Sequence, residues 1–331
     1  MAHLKTLCKV PEKRKTIPVL SLAKFKDGYL TATNLDFWFH INASDMAPRL
    51  NDNTLYDPLS LKNELFDIES DISADDFPEF TNKGKELARI ELNRDFVPLL
   101  EWVLKAASTE ETRYYLNGVY FDPSGDVVAT DGHRLHSLKH ELKYTKGTKK
   151  ADKVGFIMPR TAFKYAIWLL KETNIDHFSI AFHEYDKAVF YIGEHRIESK
   201  LIDGTFPQWR RVVPKHRKKT RFVQEEWKKI YKEAILLKKI GARGGRGPQA
   251  ISIKEGAASF NTYITDKKDL KKYMIKTWDI STKTKEQIGF NARYASDMID
   301  GDCFYGSSSD PVIVKGHKVV PLLAILMPLR V

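Results

Sequence analysis

His133, His136 and His140, spaced by three and four residues, are the side chains with the plainest metal-binding or acid–base potential in this sequence. No set of carboxylates or cysteines accompanies them nearby, so no metal centre is expected. Asp131 stands beside His133, yet no motif sets a nucleophile near it, and the expected role of this aspartate is to stabilise a turn. The run Gly241-Ala242-Arg243-Gly244-Gly245-Arg246-Gly247 is like a phosphate loop in composition alone, because no Lys-Ser or Lys-Thr follows it. A flexible basic loop is expected there. Cys8 and Cys303 lie far apart without a CxxC partner, which argues against a disulfide framework or a cysteine-rich zinc site and fits a reducing cytoplasm. These residues predict no catalytic centre, no cofactor and no metal. Charge and surface shape remain as the carriers of function.

The 331 residues include 54 Lys plus Arg against 43 Asp plus Glu, a formal net charge of +11 that makes nucleic acid a candidate partner. Hydrophobic residues at 42% and charged residues at 29% describe an ordinary globular chain rather than a disordered or membrane-embedded one. The longest apolar run, Val319 to Leu329, is broken by Pro321 and Pro328 and is shorter than the roughly 20 residues a membrane helix needs. Charge is segregated. Asn51 to Phe80 holds nine acids against Lys62 alone, whereas Arg210 to Arg246 holds fourteen bases against Glu225, Glu226 and Glu233.

The elements that must position this charge follow from periodicity. One amphipathic helix is expected from Asn93, burying Phe96, Leu99, Leu100, Val103 and Ala107, with Pro98 tolerable only in its first turn. A second follows Pro159, with Phe163, Ala166, Ile167 and Leu170 buried and Arg160, Lys164 and Lys171 together on another face. A third, Gln224 to Leu237, buries Trp227, Ile230, Tyr231 and Ala234 opposite Lys228, Lys232 and Lys239. Short β-type runs lie between them: Gly28 to Thr33, Val154 to Met158, Phe178 to Phe182, Ala188 to Ile192 and Ala250 to Ile253. The expected class is a strand-rich α+β fold.

The chain also echoes itself. Ala32-Thr33-Asn34 is matched by Ala129-Thr130-Asp131 at an offset of 97, and Phe77-Pro78 with Phe80 by Phe206-Pro207 with Trp209 at an offset of 129. If both echoes mark one duplicated module, the first copy is 32 residues shorter than the second.

The run Ala129-Thr130-Asp131-Gly132-His133-Arg134-Leu135, flanked by Arg113-Tyr114-Tyr115-Leu116-Asn117-Gly118 and by Lys200 to Pro207 with Arg210-Arg211-Val212, resembles the bacterial DNA polymerase III beta subunit, the DNA sliding clamp. Thr16 to Leu20, Ile288 to Asn291 with Tyr294, and Met327-Pro328-Leu329-Arg330-Val331 extend the resemblance from end to end, densest in the middle. It implies the DNA clamp fold: three similar modules, here 1–90, 91–213 and 214–331, with helices lining a central hole and sheets on the rim, closed as a head-to-tail homodimer around duplex DNA. By similarity, Arg14, Arg113, Tyr114 and Tyr115 touch DNA at one ring face, and Arg160, Lys164, Lys171, Lys228 and Lys232 face it from the helices without reading bases.

The resemblance further implies a groove between the second and third modules that holds a short peptide of the replicative polymerase, the clamp loader and other partners. Its residues here would be Leu116, Thr130, Gly132, His133, Arg134, Leu135, Pro207, Arg211, Val212, Asn291, Tyr294, Met327, Pro328, Leu329 and Arg330. Leu135, Val212, Met327 and Leu329 would receive apolar anchors, and Arg134, Arg211 and Asn291 would orient polar groups. Two departures qualify the resemblance: the 32-residue deficit falls in the module that carries a ring-closing edge, and Gly241 to Gly247 replaces a segment that walls the groove. A non-ring regulatory clamp relative that binds nucleic acid, or a DNA-processing enzyme, are the alternative expectations.

Overall fold

A computed structural model describes residues 3–11, 16–65, 70–81, 84–146, 153–241, 250–265 and 271–329. The chain forms two compact units: Met1–Val127 with His140–Thr205, called unit 1, and Val128–Lys139 with Phe206–Val331, called unit 2. In chain order the first strands are β1 Ala23–Lys26, β2 Tyr29–Thr33, β3 Phe37–Asn42, β4 Thr54–Tyr56, β5 Glu86–Asn93, β6 Gly118–Asp122, β7 Asp126–Thr130, β8 Arg134–Lys139, β9 Lys143–Tyr144 and β10 Phe156–Pro159. They are followed by β11 His177–His183, β12 Lys187–Ile192, β13 His195–Lys200, β14 Lys218–Phe222, β15 Ala250–Lys254, β16 Ala257–Thr265, β17 Lys271–Asp279, β18 Ile288–Asn291, β19 Gly301–Tyr305, β20 Val312–His317 and β21 Pro321–Leu326. The helices are α1 Leu4–Leu7, α2 Pro58–Lys62, α3 Val97–Leu104, α4 Arg160–Glu172, α5 Gln224–Gly241 and α6 Ala292–Ser296.

Unit 1 is built on a nine-stranded antiparallel sheet in the order β4-β1-β2-β3-β13-β12-β11-β5-β9. The β1–β2 hairpin closes on Asp27-Gly28, both at positive φ (51° and 78°), the left-handed pair that a two-residue hairpin requires. Helix α3 places Pro98 in its first turn, where its missing N–H leaves no intrahelical bond unmade. Helix α4 starts directly after Pro159 and buries Phe163, Ala166, Ile167 and Leu170 as its periodicity predicts. Phe163 meets Phe121 and Phe190 at ring separations of 6.2 and 5.8 Å, and Phe121 meets Phe182 at 4.9 Å. This aromatic cluster fixes the helix to the strands beneath it. The latter part of the acidic stretch packs inward as well: Phe77 is buried with Leu22 and Leu55.

Strands β3 and β13, more than 150 residues apart in sequence, join in register with Trp38 opposite Glu198 and His40 opposite Arg196. Their seam is polar. His40 Nε2 bonds Glu198 Oε2 at 2.9 Å, its Nδ1 bonds Thr31 Oγ1 at 2.8 Å, and burial lowers its pKa despite the carboxylate. The Asn42 N–H donates to His195 Nδ1 at 3.0 Å, which requires that nitrogen to be unprotonated; burial, with His3 adding to it, pushes the His195 pKa down to about 4.

In unit 2, strands β8-β21-β20-β19-β14 run in consecutive order, and β17-β16-β15-β18 form a four-stranded sheet. Helix α5 is held by Trp227, which is fully buried, stacks on Phe222 at 5.7 Å and meets Phe290 edge-on at 6.0 Å. All three predicted helices and all five predicted β-type runs are present, with Val154 lying just outside β10.

The internal echo is structural. Thr33 Oγ1 donates to the Phe37 carbonyl and accepts from the Leu35 N–H, while Asn34 Oδ1 accepts from the N–H groups of Asp36 and Phe37. Thr130 Oγ1 likewise donates to the Arg134 carbonyl and accepts from the Gly132 N–H, while Asp131 Oδ1 accepts from the N–H groups of His133 and Arg134. Both turns carry a left-handed residue at the same place, Leu35 (φ 73°) and Gly132 (φ 86°). Asp131 is therefore the turn residue its sequence context predicts.

Candidate partner-peptide groove and DNA-facing helices

The second of these turns organises the candidate groove. Arg134 opens β8 and is 5% exposed. Its Nε lies 3.1 Å from Asp131 Oδ2, its Nη1 lies 2.6 Å from Asp297 Oδ2, and its guanidinium covers the Tyr294 ring at 4.4 Å. A planar, permanently charged fork is the side chain suited to bridging two carboxylates while stacking on a ring. His133 in turn lies roughly parallel to Tyr294, with centroids 6.3 Å apart. Tyr294 is carried by α6, whose first turn is capped by Asn291 Oδ1 accepting the Arg293 N–H at 3.0 Å.

The C-terminal segment closes the other side. Strand β21 pairs antiparallel with β8, setting Leu326 opposite Arg134 and Ile325 opposite Leu135. Beyond it, the Met327 N–H donates to the His133 carbonyl at 2.9 Å and the Leu329 N–H to the Gly289 carbonyl at 2.8 Å. The backbone is thus tied on both sides of Pro328, leaving Met327 38% exposed as an adaptable apolar surface. Arg211 and Val212 are also exposed, in the short helical turn Trp209–Val212 that follows Pro207.

Several expected groove residues hold other positions in the site. Leu135 is 2% exposed, within the core rather than on the surface. Arg134 is committed to Asp131 and Asp297, and Asn291 spends its Oδ1 on the Arg293 N–H, so both help to set the site's shape. Leu116 is buried in unit 1, whereas Thr130, Gly132, His133, Pro207 and the residues named above belong to unit 2. Arg330 lies outside the described residues, as do residues 242–247 of the glycine-rich run.

Sequence reasoning missed a further feature of unit 2. A cleft of about 730 Å³ is lined by Trp209, Val213, Phe304, Ile313 and Leu323, with Arg210, Lys215, Arg217 and Lys315 at its polar parts. Phe304, Ile313 and Leu323 come from three neighbouring strands, and only their register brings them together. The Arg210 guanidinium sits over the Trp209 ring at 4.2 Å.

The candidate DNA-facing residues divide by accessibility. On α4, Lys164 and Lys171 are exposed and Arg160 is half-buried, with burial lowering its pKa from the ordinary arginine value. Lys171 pairs with Glu101 at 2.6 Å, and on α5 Lys228 pairs with Glu225 while Lys232 is exposed. Pairs this exposed are worth little and yield readily to a phosphate. Arg113 is held by Glu110 at 2.6 Å, beside Tyr114, which is 53% exposed and meets Tyr115 edge-on. Arg14 lies outside the described residues, and so does the side chain of Lys239. Among the described residues no three His, Cys, Asp or Glu side chains are grouped to hold a metal ion, and no helix is long and apolar enough to cross a membrane.

Residues 93–208 match the family model described as the DNA polymerase III beta subunit, central domain. The beta sliding clamp of Rickettsia bellii is 25% identical over 372 aligned positions, covering 97% of this chain and 95% of that protein. That of Haemophilus influenzae is 26% identical over 338 positions, covering 90% and 86%. The crystal structure of a Bartonella birtlesii sliding clamp bound to griselimycin superposes with a TM-score of 0.74 at 25% identity, covering 99% of this chain and 96% of that one. The chain is similar to bacterial DNA polymerase III beta subunits along nearly its whole length, and its residues 93–208 match their central domain. The Thermotoga maritima beta subunit, at 17% identity and a TM-score of 0.75, shares the clamp fold across the whole chain. The fold is the α+β sliding-clamp fold. The Rickettsia alignment spans more positions than this chain's 331 residues, so it opens gaps here, in keeping with a chain shorter than its relatives.

Proposed function

We propose that two copies of this chain close head to tail around duplex DNA and hold the polymerase, the clamp loader and other partners by short peptides. Each subunit would contribute three modules, 1–90, 91–213 and 214–331. The peptide would seat on Met327, Pro328, Leu329, Val212 and the His133–Tyr294 pair, with Arg134 fixing the wall behind them. Thr130, Gly132, Leu135 and Asn291 position that wall, and Leu116, Pro207, Arg211 and Arg330 complete the set by similarity.

The observation that carries this reading is the buried Arg134 between Asp131 and Asp297, because it joins the 131–134 turn to the segment of Tyr294 and Asp297. The exposed lysines of α4 and α5 and the half-buried Arg160, with Arg14, Arg113, Tyr114 and Tyr115, would attract phosphates without reading sequence, as sliding demands.

Light scattering tests ring closure. The subunit mass is 38.1 kDa, and a mass of twice that is expected at micromolar concentration. A mass of one subunit across that range would overturn the ring and favour a non-ring clamp relative.

A further inference from the structure

The duplicated turn sets a register that continues beyond it. Five residues after Thr33 and Thr130 stand Trp38 and Leu135, and seven after stand His40 and Ser137. Each copy then pairs antiparallel with a strand from much later in the chain. In unit 1, Trp38 faces Glu198 and His40 faces Arg196; in unit 2, Leu135 faces Ile325 and Ser137 faces Leu323. Phe80 corresponds to Trp209 by the Phe-Pro echo. The unit 2 cleft bounded by Trp209 and Leu323 therefore has a counterpart in unit 1 bounded by Phe80 and Arg196. A cavity of about 360 Å³ lies there.

Its lining differs in kind. At the register positions where unit 2 has the buried Leu135 and Ile325 and the cleft-lining Leu323, unit 1 has Trp38, Glu198 and Arg196, all three lining the cavity. Trp38 Nε1 donates to the Pro78 carbonyl at 2.7 Å and its ring meets Phe80 at 5.0 Å, which fixes an aromatic wall. Lys24, 6% exposed, donates to the Ala74 carbonyl at 3.1 Å and lies 3.6 Å from Glu79. Lys26 reaches the same carboxylate at 3.7 Å. Both separations exceed hydrogen-bond length, and the Glu79 side chain is 65% exposed, so this carboxylate is loosely held. Arg196 stacks on Tyr29 at 5.2 Å and reaches Glu198 through Nε at 3.2 Å, with its side chain 39% exposed. The accessible cations, Lys26 and Arg196, thus stand beside an aromatic wall, with an internal carboxylate already in the position of a ligand.

We propose that this cavity is a second linear-peptide site, the repeat counterpart of the unit 2 groove, which takes an Asp or Glu carboxylate against Lys26 and Arg196 and a neighbouring aromatic side chain against Trp38 and Phe80. It rests on the reading of the unit 2 groove as a peptide site, which the Trp209–Val212 turn joins to the neighbouring cleft, but its residues are separate. An acidic-aromatic segment fits better than a nucleic acid, because a single carboxylate can take the place of the loosely held Glu79 beside Lys26, whereas successive phosphates would also meet Glu198 and Asp27.

The test uses the full chain labelled with ¹⁵N-tryptophan, whose six indole signals include that of Trp38, assigned by Trp38→Phe. The probes are a capped hexapeptide with a central Asp-Phe pair, the same peptide with Asn for Asp, and a single-stranded oligonucleotide. The Asp-Phe peptide should shift the Trp38 signal saturably, and the Asn peptide should not. Lys26→Ala and Arg196→Ala should each weaken binding about tenfold, and Glu79→Gln should tighten it about threefold by removing the competing carboxylate. The shift should persist in a Met327→Ala, Leu329→Ala double variant, which separates this site from the unit 2 groove. Lys26 is half exposed, so its replacement leaves folding intact and keeps the test decisive. No shift at millimolar peptide, equal response to the Asn peptide, loss in the double variant, or a response to the oligonucleotide alone would each overturn the proposal.

Discussion

Arg134→Ala should destabilise the protein by about 3 kcal/mol, the largest effect expected of any single substitution here. The loss is mostly one of compensation. Asp131 and Asp297 have side chains only 15% and 19% exposed, and without the guanidinium each carries a charge that water solvates poorly. Arg134→Lys should recover only part of the loss, because a single ammonium cannot reach both carboxylates while covering Tyr294. Adding Asp131→Asn and Asp297→Asn to the alanine variant should restore stability partially, since the amide introduced by Asp131→Asn keeps an acceptor oxygen in the turn and both charges are gone. Urea denaturation of the four proteins checks this. Equal stability of wild type and the alanine variant would show that the Arg134 side chain makes no net contribution to stability.

The double substitution Met327→Ala with Leu329→Ala should have the largest effect on binding, lowering affinity for an apolar polymerase-tail peptide by at least about 100-fold. Two buried anchors at about 1.5–3 kcal/mol each account for that. Folding should be unaffected, because the segment is held by the Met327 and Leu329 N–H groups, which alanine retains, and because Met327 is surface-exposed. Titration calorimetry with a thermal melt as control separates the two properties, and unchanged affinity would remove these residues from the groove.

Much of this architecture was legible in the sequence because its signals are local. Helices α3 and α4 announce themselves through apolar periodicity and through Pro98 and Pro159, and the Thr-Asp-Gly turn through the chemistry of those three residues. The echo between Thr33-Asn34 and Thr130-Asp131 was legible for the same reason, since a turn's hydrogen bonds run within five residues. What stayed hidden is non-local. Asp297, the second partner of Arg134, lies 163 residues away, and nothing near either residue marks the pair. The cleft under Trp209 depends on the register of β19, β20 and β21, in which Phe304, Ile313 and Leu323 are ordinary alternating strand residues. Asn291 matched the family as a groove residue, yet its side chain is occupied as a helix cap, a role that only the start of α6 reveals. The polar seam of β3 and β13 was hidden too, because His40 and Glu198 meet only once the two distant strands pair.

The central claim is that this chain encloses DNA, and retention on circular DNA tests it most directly. The protein would be incubated with linear plasmid, over whose ends a ring can thread, half of the sample would then be circularised by ligation, and both halves would be passed through a sizing column at high salt, where phosphate contacts alone fail. The account predicts that protein travels with the circle and is lost from the linear form, since a ring can leave only over an end. Equal loss from both would contradict enclosure, and equal retention on both would show that tight phosphate binding, not topology, holds the protein to DNA.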